Sequence, residues 1–210
     1  MGGFAARERL NDFAAARTLT LASIAPLSQP QLDFSPRSGS WSIGEVVDHL
    51  LRVERLYRSE IAELAALARA GRTPYRKHSF SEVNVAPLYL PDAVLSWLSV
   101  PFGVLSRVIP DRVRGIMTEL PIVPTRHPDV AAPTPRRGAA DLKADLSSSL
   151  AATRTLIESS GDLDLDALVS EHPLTGRTNV AQMMTFLARH ESRHQGQMER
   201  VRVDPRFPPR

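Results

Sequence analysis

Ten of the 17 prolines fall between residues 71 and 138. A proline inside a helix removes a hydrogen bond and clashes with the preceding turn, so no long helix passes through this segment unbroken. Long helices must lie before it and after it. Before it, a first helix is predicted from Ala5 to about Ala25. Leu10, Phe13, Ala14, Leu21 and Ile24 form its apolar stripe, Arg17 interrupts the stripe, and Pro26 and Pro30 end it. Pro36 and Gly39 mark a connector to about Ser40. Ser42 followed by Glu45 is a capping box that opens a second helix, which runs to about Ala70 and stops at Gly71. Ile43, Val46, Val47, Leu50, Val53, Leu56, Tyr57, Ile61 and Leu64 give it a broad apolar face.

After the proline-rich segment, a third helix is predicted from about Asp141 to Ser159, with Leu142, Leu146, Leu150, Thr153, Leu156 and Ile157 on one side. Gly161 ends it, and an acidic link, GDLDLDAL, leads on to His172, Pro173 and Gly176. Asn179 with Gln182 makes a second capping box and opens the last helix, which reaches about Val203. Four amphipathic helices joined by one long crossover predict an all-α four-helix bundle. Residues 1–210 then form a single domain, with 71–138 as an insertion packed on the bundle. Within it, Asp92 to Ile109 is expected to form short helices around Pro101, and Pro121 to Gly138 to be mostly extended.

Composition narrows the function. The formal charge is only +3, and no basic tract is interleaved with aromatic residues, so nucleic acid is not an expected partner. There is no cysteine, which removes disulfides, thiolate metal sites and cysteine nucleophiles. The longest charge-free apolar stretch, Ala93 to Ser106, is too short to span a bilayer and contains Pro101 and Gly103. The N-terminus has no apolar run of signal-peptide length, so a soluble cytoplasmic protein is the default expectation.

The last helix carries the strongest chemical signal. Val180, Met183, Met184, Leu187, Met198 and Val201 recur at three- and four-residue steps, and the stripe they trace passes through His190 and His194. Two imidazoles one turn apart on an apolar face can reach a single point. They need partners for their nitrogens, which a metal ion or structural hydrogen bonds would supply. HxxxH alone is a weak motif, so a third ligand has to be found. It should lie on the apolar face of a facing helix, and His49 meets that description. His78 and His127 lie in the proline-rich segment, where surface exposure is expected. His172 precedes Pro173 in a loop and is expected to order the start of the last helix.

Trp41-Ser42-Ile43-Gly44-Glu45, leading into Asp48-His49-Leu50, resembles the second helix of the DinB-like family. His172-Pro173, followed by His190, Arg193-His194 and Gln197, resembles that family's last helix and its approach. The resemblance covers roughly residues 5–70 and 140–203. It implies a four-helix bundle, often dimeric, in which one histidine of the second helix and two of the last bind a divalent metal. Carried over by position, the ligands are His49, His190 and His194. The chain departs from the family at Gln182-Met183, where Glu-Trp is common, and in the length of the 71–138 insertion.

Three neutral imidazoles leave an open coordination position, the arrangement of catalytic zinc. All-nitrogen ligation also suits nickel, copper or iron. Glu45 is a candidate to orient His49 or simply to serve its helix cap, the second being favoured. Arg193 is a candidate for binding an anionic substrate group, or a solvated arginine. Gln197 is a candidate to support His194, or plain surface. The resemblance implies a metal-dependent enzyme acting on small molecules. The first expectation is transfer of a low-molecular-weight thiol to an electrophile. The alternatives are a metal-dependent hydrolase, a non-catalytic metal-binding stress-response bundle, and a membrane-surface protein using Asp92 to Ile109.

Overall fold

The computed structural model describes residues 3–78, 131–172 and 176–209. Among them, four long helices form the body: α1 (Phe4–Ile24), α3 (Ile43–Arg69), α4 (Ala139–Ser159) and α5 (Val180–Arg202). A short helix, α2 (Gln29–Asp33), precedes α3. Helix α1 packs between α4 and α5, and α3 packs between the same two, which closes a four-helix bundle. The long connection joins α3 to α4, as the proline distribution requires. Among the described residues, no helix is long and apolar enough to cross a membrane.

The helix ends follow local chemistry. Ser42 Oγ accepts from the Glu45 N–H at 3.2 Å, and Glu45 Oε2 accepts from the Ser42 N–H at 2.8 Å. Asn179 and Gln182 repeat the exchange at the start of α5, at 3.0 and 2.9 Å. At the end of α3, Gly71 takes the left-handed conformation (φ 68°). Its N–H reaches the Ala68 carbonyl, and the next N–H, of Arg72, reaches that of Leu67. This paired closure satisfies two carbonyls that the helix end would otherwise leave free. Helix α2 was not expected in the 26–40 connector. Its signal was present, since Ser28 and Gln31 also form a capping box and Pro30 sits in the first turn.

The structure also corrects the reading of His172 as a loop residue between the acidic link and the last helix. Val169–His172 (β2) and Gly176–Asn179 (β3) form an antiparallel hairpin, and Tyr75–Lys77 (β1) adds in parallel beside β2. Asn179 ends β3 and caps α5, so the hairpin sets where α5 begins. Strands of three or four residues are too short for alternation to reveal, and the parallel partner is nearly a hundred residues away in sequence. His172 is therefore in a strand, opposite Gly176, and not in a loop. His78 is not a surface residue either. Its side chain is only 19% exposed, and its Nε2 lies 3.0 Å from Glu60 Oε1. The expected short helices at Asp92 to Ile109 and the expected extended chain over 121–130 lie outside the described residues. Residues 131–138 are described, and they run without regular structure apart from a single turn at each of two points.

Two apolar clusters fill the bundle. One gathers Leu10, Phe13, Ile61, Leu64, Ile157, Met184 and Leu187, and the other Ile24, Ile43, Val47, Leu51, Leu146, Met198 and Val201. Between them, along all four helices, runs a polar level. Arg17, fully buried, is its centre. Arg17 Nη1 donates to Glu54 of α3 at 2.9 Å and to the Leu146 carbonyl of α4 at 3.0 Å. Its Nε donates to Glu191 of α5 at 2.6 Å. Thr153 of α4 donates to Glu54 at 2.6 Å, and Thr20 of α1 donates to Glu191. The arginine that interrupts the α1 stripe is thus the ionic tie of the core. Burial pushes the Glu191 carboxyl above its ordinary range, while Arg17 and Thr20 pull it back.

Two outcomes follow from this packing. Arg17→Met strands two buried carboxylates and should cost about 3–5 kcal/mol in denaturant unfolding. Replacing Arg17, Glu54 and Glu191 together by apolar residues of similar volume should recover most of that loss. A triple variant no more stable than the single one would assign the loss to packing instead. His172 supplies the second. Burial, aided by the neighbouring His78, lowers it from 6.5 to about 4. Between these values the unfolded chain takes up a proton that the folded protein refuses. Stability present above pH 6.5 is therefore lost as pH falls toward 4. The fall in melting temperature across this window should be shallower in His172→Asn, and equal slopes would place the effect on another group.

Candidate metal centre

The capping box at Ser42 fixes the start of α3 and so sets which face His49 occupies, two turns later. His49 is 4% exposed. The box at Asn179 does the same for α5, where His190 and His194 follow one turn apart. The bundle brings the three together. His190 Nε2 lies 3.3 Å from His49 Nε2 and 3.1 Å from His194 Nε2. One ligand atom from each lies within 4.8 Å of the other two, and among the described residues this is the group able to hold a metal ion.

The far ring nitrogens set the tautomers of two of the rings. His49 Nδ1–H donates to the Ala131 carbonyl at 2.8 Å, and that oxygen can only accept. His194 Nδ1–H donates to Gln197 Oε1 at 2.7 Å. Each bond selects the tautomer whose Nε2 carries a lone pair. Two lone pairs thus face the third imidazole, and His190 has at most one N–H to share between them. A single cation satisfies all three nitrogens, and no one proton does. Tetrahedral ligands about 2.0–2.1 Å from one ion stand roughly 3.3–3.4 Å apart, close to the separations found here. The donor set and its spacing therefore fit a divalent ion.

The surroundings are aromatic. The Trp41 ring lies 4.9 Å from that of His49. Phe186 stacks on His190 at 5.3 Å, and Tyr57 lies 5.0 Å from Phe186. Burial pushes the Tyr57 phenol upward, and the charge of Glu60 adds to the effect. Apolar walls of this kind strengthen electrostatic interactions between groups they enclose.

The remaining candidates sort themselves by position. Glu45 is engaged in its helix cap, through Oε2 to the Ser42 N–H, as favoured. Gln197 supports His194 and is not plain surface. Arg193 is exposed on α5. His172 lies in β2 and His78 directly follows β1, neither of them in the histidine cluster, and His127 lies outside the described residues. Sequence reasoning missed Ala131. Its contribution is a backbone carbonyl, for which side-chain identity carries no signal.

Ala131 begins a segment fastened to α3 by a second set of bonds. Asp48, 2% exposed, accepts from Arg52 Nε at 2.8 Å, from the Thr134 N–H at 2.7 Å and from Arg137 Nη1 at 2.7 Å. Arg137 Nη2 also donates to Asp145 of α4 at 2.7 Å. These donors hold the Asp48 carboxyl below its ordinary range against the opposing effect of burial.

A family model described as the DinB superfamily matches residues 12–198. No curated protein and no solved structure matches the chain. The matched span takes in the whole of α3, the hairpin that starts α5, α5 as far as Met198 with both its histidines, and part of α1. With that coverage, and with the bundle and histidine cluster already in place, the chain belongs to the DinB superfamily.

Proposed function

We propose that this protein is a divalent-metal-dependent enzyme in which His49, His190 and His194 hold the ion, and that it transfers a low-molecular-weight thiol to an electrophilic small molecule. The observation that carries the metal reading is the convergence of three Nε2 atoms, two of them with their Nδ1–H committed to an acceptor. When bound, the ion supplies positive charge that lowers the pKa of a thiol or water beside it and polarises a substrate. Neutral imidazole ligands leave that charge undiminished. The Ala131 carbonyl and Gln197 hold two of the rings in the metal-binding tautomer. Trp41, Tyr57 and Phe186 provide an apolar boundary that favours charge pairing near the histidines.

The absence of cysteine is compatible with thiol transfer, since the thiol would come from a cosubstrate. The thiol loses its S–H proton to a base or to solvent. Its sulfur lone pair then forms the S–C bond as the leaving group departs with its bonding pair. Among the described residues no carboxylate joins the three histidines, which is compatible with a coordination position left to a substrate.

The test combines metal analysis with assay. Purified protein should bind about one divalent ion per chain, and His49→Ala, His190→Ala and His194→Ala should each bind far less. Unchanged stoichiometry in His49→Ala would move the third ligand elsewhere. Metal-loaded protein, chelated protein and His194→Ala are then compared across a panel of thiols and electrophiles. Transfer only by the loaded protein supports the reading, and equal rates in all three exclude metal-dependent transfer for that panel. Metal-dependent cleavage of esters or amides without thiol transfer would assign a hydrolase.

A further inference from the structure

We propose that Asp48 and Arg137 are positioning residues for the metal centre. They clamp residues 131–137 onto α3 so that the Ala131 carbonyl fixes His49, which couples docking of this segment to metal affinity. The proposal rests on the reading of His49 as a ligand. Asp48 and His49 are consecutive on α3 and so point about 100° apart. Yet both grip the same short segment, Asp48 at the Thr134 N–H and at Arg137, His49 at the Ala131 carbonyl. Arg52 adds a third hold, donating both to Asp48 and to Thr134 Oγ1. Between the grips the chain turns at Pro135-Arg136, and Arg136 takes the left-handed conformation at φ 57°. A residue other than glycine adopts it only where its surroundings impose it. Here the turn brings the Arg137 guanidinium between Asp48 and Asp145.

The consequence is chemical. With the segment docked, His49 Nδ1 must carry the proton, because a carbonyl oxygen cannot donate. Its Nε2 is then unprotonated and turned to the shared point. With the segment released, this constraint on the tautomer and the ring angle is lost, and either change removes the lone pair from the site. Linkage makes the effect reciprocal: the factor by which docking raises metal affinity is the factor by which a bound ion strengthens docking.

The experiment titrates zinc against a competing chelator in wild type, Arg137→Gln, Asp48→Asn, Arg55→Gln and His190→Ala. Arg55 serves as the charge control, since it pairs with Asp145 without touching Asp48. Arg137→Gln and Asp48→Asn should weaken zinc binding about tenfold or more. Arg55→Gln should leave it unchanged. Hydrogen exchange over 131–138 should quicken in the two clamp variants and slow in wild type when zinc is added. Imidazole ¹⁵N spectra of zinc-free protein should show His49 as the Nδ1–H tautomer in wild type and as a mixture in the variants. Melting curves identify a variant that fails to fold. Arg137 is less buried than Asp48, so its substitution and the wild-type exchange experiment decide the matter if Asp48→Asn misfolds. Fast exchange at 131–138 with wild-type zinc affinity would overturn the coupling, as would unchanged exchange in the variants. Wild-type protein that binds zinc no better than His190→Ala would overturn the metal reading itself, and the coupling with it.

Discussion

The fully buried guanidinium of Arg17 is the constraint around which the bundle is arranged. Taking such a charge out of water costs several kcal/mol unless hydrogen bonds and opposite charge offset it. The bundle supplies both from three directions, through Glu54 on α3, the Leu146 carbonyl on α4 and Glu191 on α5. Apolar side chains tolerate small rotations of one helix against another. Hydrogen bonds between charged groups do not, because their energy depends on direction as well as distance. With Glu191 committed to α1, the residue before it, His190, lies about 100° round the helix and meets α3. The ionic tie and the histidine cluster thus occupy one level of the bundle and share its geometry.

The chemistry of the histidine cluster follows from where its protons are. Three imidazoles in close contact could form a hydrogen-bonded triad, with donors and acceptors alternating. Ala131 and Gln197 prevent that by claiming the protons of two rings at Nδ1. The Nε2 lone pairs of those two rings are thereby turned toward His190, an arrangement that favours a cation over a neutral ligand. The aromatic side chains around it limit solvation and so raise the effective strength of that preference.

The two ends of the α3–α4 connection are built into this arrangement in different ways. Its start, β1, joins the sheet that sets the beginning of α5. Its end, 131–138, is bound to α3 beside His49 through Asp48, Arg52 and Arg137. The connection therefore touches both helices that carry the histidines, one through the hairpin and one through the ring of His49 itself. A segment that reads as an insertion is part of the frame of the site.

The sequence alone determined the four long helices and the three histidines. Helical periodicity and capping are short-range effects: a serine and a glutamate three residues apart satisfy each other's backbone wherever the helix later packs. The same locality made Gly71 legible as a helix end and His190 and His194 legible as one face. His49 was legible because an imidazole stood on an otherwise apolar stripe. Tertiary structure decided the rest. Arg17 read as a flaw in its stripe, since its partners are 37 and 174 residues away and nothing local identifies them. His78 read as surface because Glu60 reaches it only once β1 has paired with β2. Ala131 was invisible as a contributor because a carbonyl belongs to every residue. What makes this one matter is the position in which Asp48 and Arg137 hold it, and such contacts form only after the chain has folded.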